Sequence, residues 1–82
     1  MVTVDVFVPA MNVTYDFQLD ENTLIQVLID EIVEILLKKT GGDTLNNPES
    51  FLLCNLASEE IFNRRKTLAD YRIRNGNRLM IV

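Results

Sequence analysis

Apolar and polar residues alternate strictly in two segments near the start of the chain. In residues 2–8 every second position is a valine, and in residues 13–19 the apolar residues again occupy every second position. A period of two is typical of a strand that buries one face. The residues between the segments, 9–12, include proline and asparagine, which favour turns. We therefore predict an N-terminal β-hairpin with one apolar face.

The apolar period lengthens after residue 23, and the change predicts a helix. Thr23 followed by Gln26 is a capping-box pattern for a helix N-terminus, and the helical spacing continues to about Lys39. Gly41 and Gly42 then supply a stop signal. The apolar residues cover about half of the helix circumference, so we expect the helix to be buried along a broad face. They are Leu24, Ile25, Leu28, Ile29, Ile32, Val33, Ile35 and Leu36.

A short apolar run at residues 51–56 follows a loop of residues 40–50 that is rich in glycine and asparagine. A run of this length between loops predicts a strand. We expect Leu53 to point outward and the residues at positions 52, 54 and 56 to point into the core.

The last third of the chain predicts a short strand at residues 61–62, a compact turn at 67–74 and a final strand at 78–82. Asn75, Gly76 and Asn77 favour a turn with a positive φ before that strand. The element order is therefore ββαββ followed by a closing strand. This order predicts a single α+β domain that spans residues 1–82.

Length and composition place this domain among small globular proteins. Its 82 residues leave no room for a second core, and 48% of them are hydrophobic, enough to favour a folded globule. We find no basic segment followed by an apolar core as in a signal peptide, and no apolar run of the ~18 residues that a transmembrane helix needs. The single cysteine, Cys54, has no partner for an internal disulfide. A cytoplasmic location is the natural expectation.

Charge is unevenly distributed along the sequence. The net charge of −4 argues against general nucleic-acid binding, which depends on cations that meet phosphates. Residues 1–62 hold two lysines against eleven acidic residues, whereas residues 63–82 hold six basic residues against one acidic residue. The cluster Arg64, Arg65 and Lys66 is a candidate contact for an acidic protein or, weakly, for an anionic membrane surface. The alternative is a solvated loop, which we favour because salt screens exposed charges.

Residues suited to catalysis or ligand binding are scarce. The chain has no histidine, no Cys or His cluster for a metal and no glycine-rich phosphate loop. Asp30 and Glu34 stand one helical turn apart, but they continue the polar stripe of Gln26 and Lys38. Cys54 is expected to be a small buried hydrophobe. We therefore expect a binding protein with no catalytic activity and no cofactor.

The segment Thr67-Leu68-Ala69-Asp70-Tyr71-Arg72-Ile73 resembles the Thr-Leu-Ser-Asp-Tyr-Asn-Ile turn of ubiquitin, with five of seven positions identical. The hairpin, the helix and the closing strand extend the resemblance over nearly the whole chain. It implies a β-grasp fold, in which a mixed sheet packs on one helix. It also implies that the Tyr71 hydroxyl bonds to the backbone of a neighbouring loop, and that Leu79 and Ile81 face inward.

Within that superfamily the chain resembles the small YukD/EsaB-type proteins that accompany type VII (ESX-type) secretion in Gram-positive bacteria. The resemblance rests on the length, the apolar helix at residues 24–37, the ending at residues 70–79 and the stop directly after the last strand. It implies a cytoplasmic accessory or regulatory subunit that is not conjugated to other proteins. Its partners would be proteins, such as the membrane ATPase or other subunits of the secretion system.

A candidate binding face follows from the strand alternation. Phe7, Leu53, Met80 and Val82 are expected on the sheet face opposite the helix. The resemblance places the last three at or near the partner-binding patch of ubiquitin, with residues 10–11 of the hairpin turn completing it. We predict that the four side chains form an exposed apolar strip, although single exposed apolar residues are ordinary on protein surfaces.

Two further alternatives remain open at this stage. Ile29, Val33 and Leu37 on the helix either lie under the 40–50 loop or mediate self-association as a homodimer. Ubiquitin and the β-grasp sulfur carriers act through a flexible tail that ends in Gly-Gly, whereas this sequence ends inside its last predicted strand. A carrier function therefore requires that the native chain extend to such a tail. A free-standing ubiquitin-like adaptor of another pathway is the remaining alternative.

Overall fold

The architecture is seen in a computed structural model, which describes residues 1–40 and 50–82. Within these residues a four-stranded sheet packs on one α-helix. A 3₁₀ turn, Ala69–Tyr71, precedes the last strand. The predicted helix stop at Gly41 and Gly42 and the loop that follows it lie outside the described residues. The elements are β1 (Val2–Val8), β2 (Val13–Leu19), α1 (Ile25–Thr40), β3 (Leu53–Asn55) and β4 (Arg78–Ile81).

The sheet has the strand order β2-β1-β4-β3. The hairpin strands β1 and β2 are antiparallel, β1 and β4 are parallel, and β4 and β3 are antiparallel. The predicted α+β class, with a mixed sheet on one helix and a closing C-terminal strand, is confirmed. The short strand predicted at residues 61–62 is reduced to an isolated bridge between Cys54 and Ile61.

The core lies between α1 and one face of the sheet. The even-numbered valines of β1 are all buried, as the alternation predicted. From α1, Leu28, Ile32 and Leu36 are fully buried, and from β4 the predicted inward residues Leu79 and Ile81 are too. Fully burying each such side chain stabilises the fold by about 1.5 to 3 kcal/mol relative to exposure. The core therefore fixes which sheet face is left for other molecules.

The N-terminus of α1 is capped by a distant loop and begins one residue later than the capping-box pattern suggested. The amide of Ile25 donates to the Lys66 carbonyl oxygen at 2.8 Å, and the amide of Gln26 donates to the Arg64 carbonyl oxygen at 3.0 Å. These two carbonyls satisfy amides that a Thr23 side chain would otherwise serve. The predicted cap was wrong because Leu24 separates Thr23 from the first helical residue, and backbone acceptors are already in place.

The turn that carries the resemblance to ubiquitin is closed by two reciprocal hydrogen bonds. The Thr67 amide donates to Asp70 Oδ2 at 2.9 Å, and the Asp70 amide donates to Thr67 Oγ1 at 3.2 Å. The chain then reverses at Arg72, which has the left-handed φ of 57°. The predicted turn at Asn75 to Asn77 also holds, with Gly76 at φ +86°.

Tyr71 ties this turn to the preceding loop. Its hydroxyl oxygen accepts a hydrogen bond from the Asn63 amide at 2.8 Å, and its ring lies 4.5 Å from the Phe62 ring, centroid to centroid. The role that the ubiquitin resemblance implied for this tyrosine is confirmed. Because Asn63 directly precedes the loop that caps α1, the bond also holds the cap in position.

Replacing Tyr71 with phenylalanine is expected to lower the free energy of unfolding by about 1 to 2 kcal/mol, because the Asn63 amide loses its acceptor. Urea denaturation measures the change. Tyr15→Phe is the matched control: this residue is half-buried and its hydroxyl has no recorded hydrogen bond in the described structure, so a change below about 0.5 kcal/mol is expected. Equal midpoints for the two variants would show that the Tyr71 hydroxyl carries no stability.

The phase of β3 is opposite to the one expected from sequence. Leu53 is 0% exposed and pairs with the inward Ile81, whereas Cys54 pairs with Met80 on the outer face. Leu52 is 41% exposed. The prediction of an outward Leu53 and an inward Leu52 and Cys54 was wrong. Residues 51–54 are all apolar, so alternation within the run cannot define the phase, and pairing with β4 decides it.

The helix flank considered for self-association is largely inside the protein. Ile29 and Val33 are 0% exposed and belong to the core, and only Leu37 is half-buried. Fully buried side chains are not available to a second copy. Whether the loop after α1 covers this flank is a question that falls outside residues 1–40 and 50–82.

Candidate interaction surface

An apolar row crosses the sheet face that points away from α1. Phe7 pairs with Met80, Met80 pairs with Cys54, and Cys54 forms the bridge to Ile61. Residues that are directly opposite in adjacent strands have side chains on the same face, in contact range. Ile61 is 60% exposed, Phe7 and Met80 are half-buried, and Cys54 is only 4% exposed. The cysteine therefore forms the floor of the row.

A second pair of apolar residues lies beside this row. Leu52 and Val82 exchange both backbone hydrogen bonds, at 2.7 and 2.9 Å, and their side chains are 41% and 46% exposed. Both flank inward residues, so both lie on the outer face by alternation. Together with the row they form a continuous apolar surface, which we call the outer strip. The outer strip consists of Phe7, Leu52, Cys54, Ile61, Met80 and Val82.

Three of the four residues predicted for the binding face belong to the outer strip. Phe7, Met80 and Val82 lie on the expected face, and Leu53 does not because it is in the core. Sequence reasoning missed Leu52 and Ile61. The sequence already predicted that Ile81 faces inward and Val82 outward. If the segment at residues 51–56 pairs antiparallel with β4, the residue opposite Val82 also faces outward, and that residue is Leu52.

A charged depression borders the outer strip beside Phe7, where β1 lies between β2 and β4. It is lined by Asp5, Phe7, Thr14, Leu56 and Arg78. Asp5 pairs with Asp16 of β2 on one side and with Arg78 of β4 on the other, so two acidic residues and one basic residue form a row across the sheet. The Asp16 carboxyl shares a hydrogen bond with the Asp5 carboxyl and lies close to its negative charge. Both effects raise the pKa of Asp16 above the ordinary aspartate value.

The raised pKa of Asp16 predicts a stabilising substitution. Folding disfavours the ionised form of this group, so its contribution to stability is greatest at low pH and is lost as pH rises through the folded-state pKa. Asp16→Asn is therefore expected to raise the melting temperature at pH 7, with a gain that shrinks as pH falls below that pKa. Thermal melts from pH 2.5 to 8 measure the difference.

Asp70→Asn is the control, because it is expected to change the melting temperature in the opposite direction. Hydrogen bonds from the Thr67 backbone and side chain lower the pKa of Asp70, so the carboxylate stabilises the fold at neutral pH and this contribution disappears as pH falls through the folded pKa. Asp70→Asn should lower the melting temperature at pH 7 and have little effect at pH 2.5. A loss of stability for Asp16→Asn at pH 7 would contradict the Asp5–Asp16 repulsion.

The basic cluster divides into a structural residue and two exposed ones. Arg64 is half-buried and its Nη1 donates to the Phe51 carbonyl oxygen, which ties the loop to the segment before β3. Arg65 and Lys66 are exposed, and the Lys66 Nζ lies 5.8 Å from the centroid of the Tyr71 ring. As a candidate contact surface the cluster is thus narrower than sequence suggested, because Arg64 is engaged within the protein.

Replacing Arg64 with glutamine is expected to destabilise the protein by about 1 to 2 kcal/mol, through loss of a charge-assisted hydrogen bond in a half-buried site. The double change Arg65→Gln with Lys66→Gln removes two charges at exposed positions and should shift stability by less than about 0.5 kcal/mol. Chemical denaturation compares the two. A double variant that is as unstable as Arg64→Gln would show that the whole cluster is structural.

Comparison with known proteins identifies the family of this chain. A family model described as "WXG100 protein secretion system (Wss), protein YukD" matches residues 1–81. The chain belongs to the YukD family. This family is ubiquitin-like and is associated with type VII secretion, so the resemblance seen in the sequence is confirmed. Among curated proteins the comparison found no significant match.

Solved structures with the same fold support the assignment of this YukD-family chain to the ubiquitin-like class. The N-terminal ubiquitin-like domain of the 4931431F19Rik protein has a TM-score of 0.77 and 20% identity, over 99% of this chain and 72% of that chain. The EccD5 ubiquitin-like domain from Mycobacterium xenopi also has a TM-score of 0.77, with 19% identity, over 99% of this chain and 91% of that chain. At this level of identity the likeness extends to the fold.

In this YukD-family protein, Cys54 and Glu34 have the surroundings of structural residues. Burial raises the pKa of the Cys54 thiol, and its Sγ lies 3.4 Å from the Met80 carbonyl oxygen, so the reactive thiolate is disfavoured. Glu34 and Lys38 form an exposed ion pair at 3.8 Å, as expected of a solvated helix face. Across residues 1–40 and 50–82 no group of three metal-ligating side chains occurs, and no helix has the length and apolar character needed to span a membrane.

Proposed function

We propose that this YukD-family protein is a non-catalytic interaction module that uses its outer strip to bind a protein partner within a type VII secretion system. It acts in the cytoplasm as an accessory or regulatory subunit. The proposal rests on the outer strip. Exposed or half-exposed apolar side chains from four segments meet there, on the sheet face that the core leaves uncovered.

Burial of exposed apolar surface provides the free energy for binding at the outer strip. Leu52 and Val82 are 41% and 46% exposed, so covering the exposed part of both side chains contributes about 1 to 3 kcal/mol before the costs of association are subtracted. A complex of modest affinity follows, which suits a subunit that regulates assembly. The surrounding charges of Asp5 and Arg78 supply polar contacts at the rim.

The partner proposed is another subunit of the secretion apparatus, such as its membrane ATPase. Support comes from the family, which is associated with secretion. Arg65 and Lys66 add a weak contact to an acidic partner surface or to anionic lipid. No cofactor or nucleic acid enters this proposal.

Site-specific photo-crosslinking in the native bacterium tests the proposal. A photoreactive amino acid at Leu52 is expected to give a discrete adduct with a subunit of the secretion apparatus, identified by mass spectrometry. The same group at Gln26, an exposed position on α1, is the matched control and should give no such adduct. If the two positions give the same adducts, or neither gives one, the outer strip is not a binding site.

The second candidate function is that of a β-grasp carrier, activated at a C-terminal glycine pair. Intact-mass measurement of the protein purified from its native source distinguishes the two. A mass that ends at Val82 supports the interaction module, and a mass that includes a Gly-Gly extension supports the carrier. Adducts from the Leu52 position in an unrelated protein complex would instead favour an adaptor of another pathway.

A further inference from the structure

The two edges of the sheet are treated differently by the fold. The edge at β3 is partly covered, because the chain returns beside it: the Asn55 amide donates to the Glu60 carbonyl oxygen, and the Phe62 amide donates to the Leu53 carbonyl oxygen, both at 2.9 Å. The edge at β2 is seven residues long, and no described element pairs with its outer side. An open edge of this length is a template for another strand.

The hydrogen bonds of β1 show which backbone amides and carbonyls of β2 point away from β1, toward the open edge. The Thr3 amide donates to Asn75 Oδ1, the Thr3 carbonyl oxygen accepts from the Gly76 amide, and the Asp5 amide donates to the Asn77 carbonyl oxygen. Odd-numbered residues of β1 therefore direct their backbone groups away from β2. In an antiparallel pair, hydrogen-bonded and non-hydrogen-bonded residue pairs alternate, so the bonds to β2 come from the even-numbered residues.

The residues of β2 that face the odd-numbered positions thus have outward backbone groups. Thr14 stands opposite Phe7, Asp16 opposite Asp5 and Gln18 opposite Thr3. Their three amides and three carbonyls point to the open side of the sheet. An added strand would form its hydrogen bonds with these three residues.

The edge also lacks the features by which proteins usually block strand addition. Proline, inward charges, lysines, bulges and very short length serve that purpose. Within Val13–Leu19 there is no proline and no lysine, and its register with β1 runs through seven consecutive pairs without a bulge. The one charge in β2, Asp16, is on the outer face of the sheet.

The charges near this edge define the chemistry of a matching strand. Across the outer face the row reads Arg78, Asp5, Asp16, and then the open edge. Asp5 has a basic neighbour on its β4 side, whereas Asp16 has only another carboxyl beside it. A lysine or arginine on an added strand, directly opposite Asp16, would give this carboxyl an oppositely charged neighbour.

The helix side of the edge is apolar. Val13 and Tyr15 are half-buried and pack against the core, and Lys39 Nζ lies 5.0 Å from the centroid of the Tyr15 ring. The residues before and after the one opposite Asp16 would point to this side. Apolar side chains there would cover the exposed part of Tyr15.

A second copy of the protein fits the edge poorly. Antiparallel pairing of β2 with itself over its full length is centred on Asp16, which would place two Asp16 carboxyls directly opposite each other. Like charges in that position are destabilising. Charge complementarity therefore favours a basic strand from another protein over self-association.

We propose that β2 accepts an extended segment of a partner protein as an additional strand, with a lysine or arginine opposite Asp16 on the outer face and apolar residues beside Tyr15 on the helix face. This mode of recognition takes its affinity from backbone hydrogen bonds and its specificity from alternate side chains. It uses a different surface from the outer strip.

Two synthetic peptides test this inference: Ser-Val-Lys-Ile-Lys-Val-Ser and the same peptide with glutamate in place of lysine. Amide hydrogen exchange of the whole chain is followed by NMR with each peptide. The lysine peptide is expected to slow exchange of the Thr14, Asp16 and Gln18 amides at least tenfold, while the Tyr15 and Phe17 amides, already paired with β1, change little. The glutamate peptide at equal concentration should have no effect.

Two variants sharpen the result. Asp16→Asn should reduce the affinity difference between the peptides at least fivefold. The double change Leu52→Asp with Met80→Asp should leave the protection of β2 intact, so failure of the outer strip and failure of this inference are distinguishable. Equal effects of both peptides, protection elsewhere on the protein, or none at millimolar peptide would overturn it. Protection of the same amides that grows with protein concentration in the absence of peptide would also overturn it, because a second copy would then be the occupant.

Discussion

Leu53→Asp is expected to unfold the protein at room temperature, whereas Leu52→Asp leaves it folded. Leu53 is 0% exposed and lies opposite Ile81, so a carboxylate there would be desolvated without a partner, and lost packing and buried charge together cost more than about 5 kcal/mol. Stability of a domain this small is of the order of 5 kcal/mol. Leu52, one residue earlier, is 41% exposed, and its replacement should cost about 1 kcal/mol or less.

Far-ultraviolet circular dichroism and thermal melts compare these adjacent substitutions directly. The two variants add the same charge at adjacent positions of the chain, so their difference isolates which residue faces the core. A folded Leu53→Asp protein together with an unfolded Leu52→Asp protein would reverse the phase of β3 and remove Leu52 from the outer strip.

The double change Leu52→Asp with Met80→Asp is expected to abolish partner binding while the protein stays folded. It places two carboxylates at the centre of the outer strip, where burial without a partner costs several kcal/mol and reduces affinity at least a hundredfold. The readout is capture of the subunit that crosslinks from position 52, by immobilised wild-type and variant protein. Both proteins must first show cooperative thermal melts.

Asn22→Asp with Gln26→Asp is the matched control, because it adds the same two charges at exposed positions near the start of α1. This control should capture the subunit as well as the wild type does. Equal capture by the control and by Leu52→Asp with Met80→Asp would show that the outer strip makes no contact with the partner.

The hairpin and the helix were predictable because their patterns are unambiguous. Residues 2–8 and 13–19 form β1 and β2 with the expected bounds, since a strict period of two allows only one choice of buried face. The helical pattern placed α1 within one residue at its start and at its end. The ubiquitin-like turn was predictable from identity at five positions, and Tyr71 takes the implied bond.

The errors arose where local sequence does not carry the deciding information. The run at residues 51–54 has no polar residue to define its phase, so only the pairing with β4 places Leu53 in the core. The capping of α1 by the Lys66 and Arg64 carbonyls depends on a contact between segments about forty residues apart. The short strand at 61–62 became a single bridge because only Ile61 pairs with β3.

The candidate site was only partly predictable for the same reason. Phe7, Met80 and Val82 were assigned correctly to the outer face by the alternation of β1 and β4. Leu52 and Ile61 join them through long-range pairing, which no local pattern reports. Arg64 differs from its neighbours in the basic cluster because its side chain turns back to the Phe51 carbonyl, and the sequence of three adjacent basic residues does not distinguish it.

Secretion of a WXG100 substrate by the native bacterium is the most direct measurement of the central claim, that the outer strip binds a partner on which secretion depends. A strain lacking this gene is complemented with wild type, with Leu52→Asp and Met80→Asp together, or with the Asn22→Asp and Gln26→Asp control, each at equal cellular levels. Substrate in the medium is quantified by immunoblot. The account predicts restoration by the wild type and the control, and loss of secretion with the outer-strip variant at the level of the deletion strain. Full secretion with the outer-strip variant would contradict it.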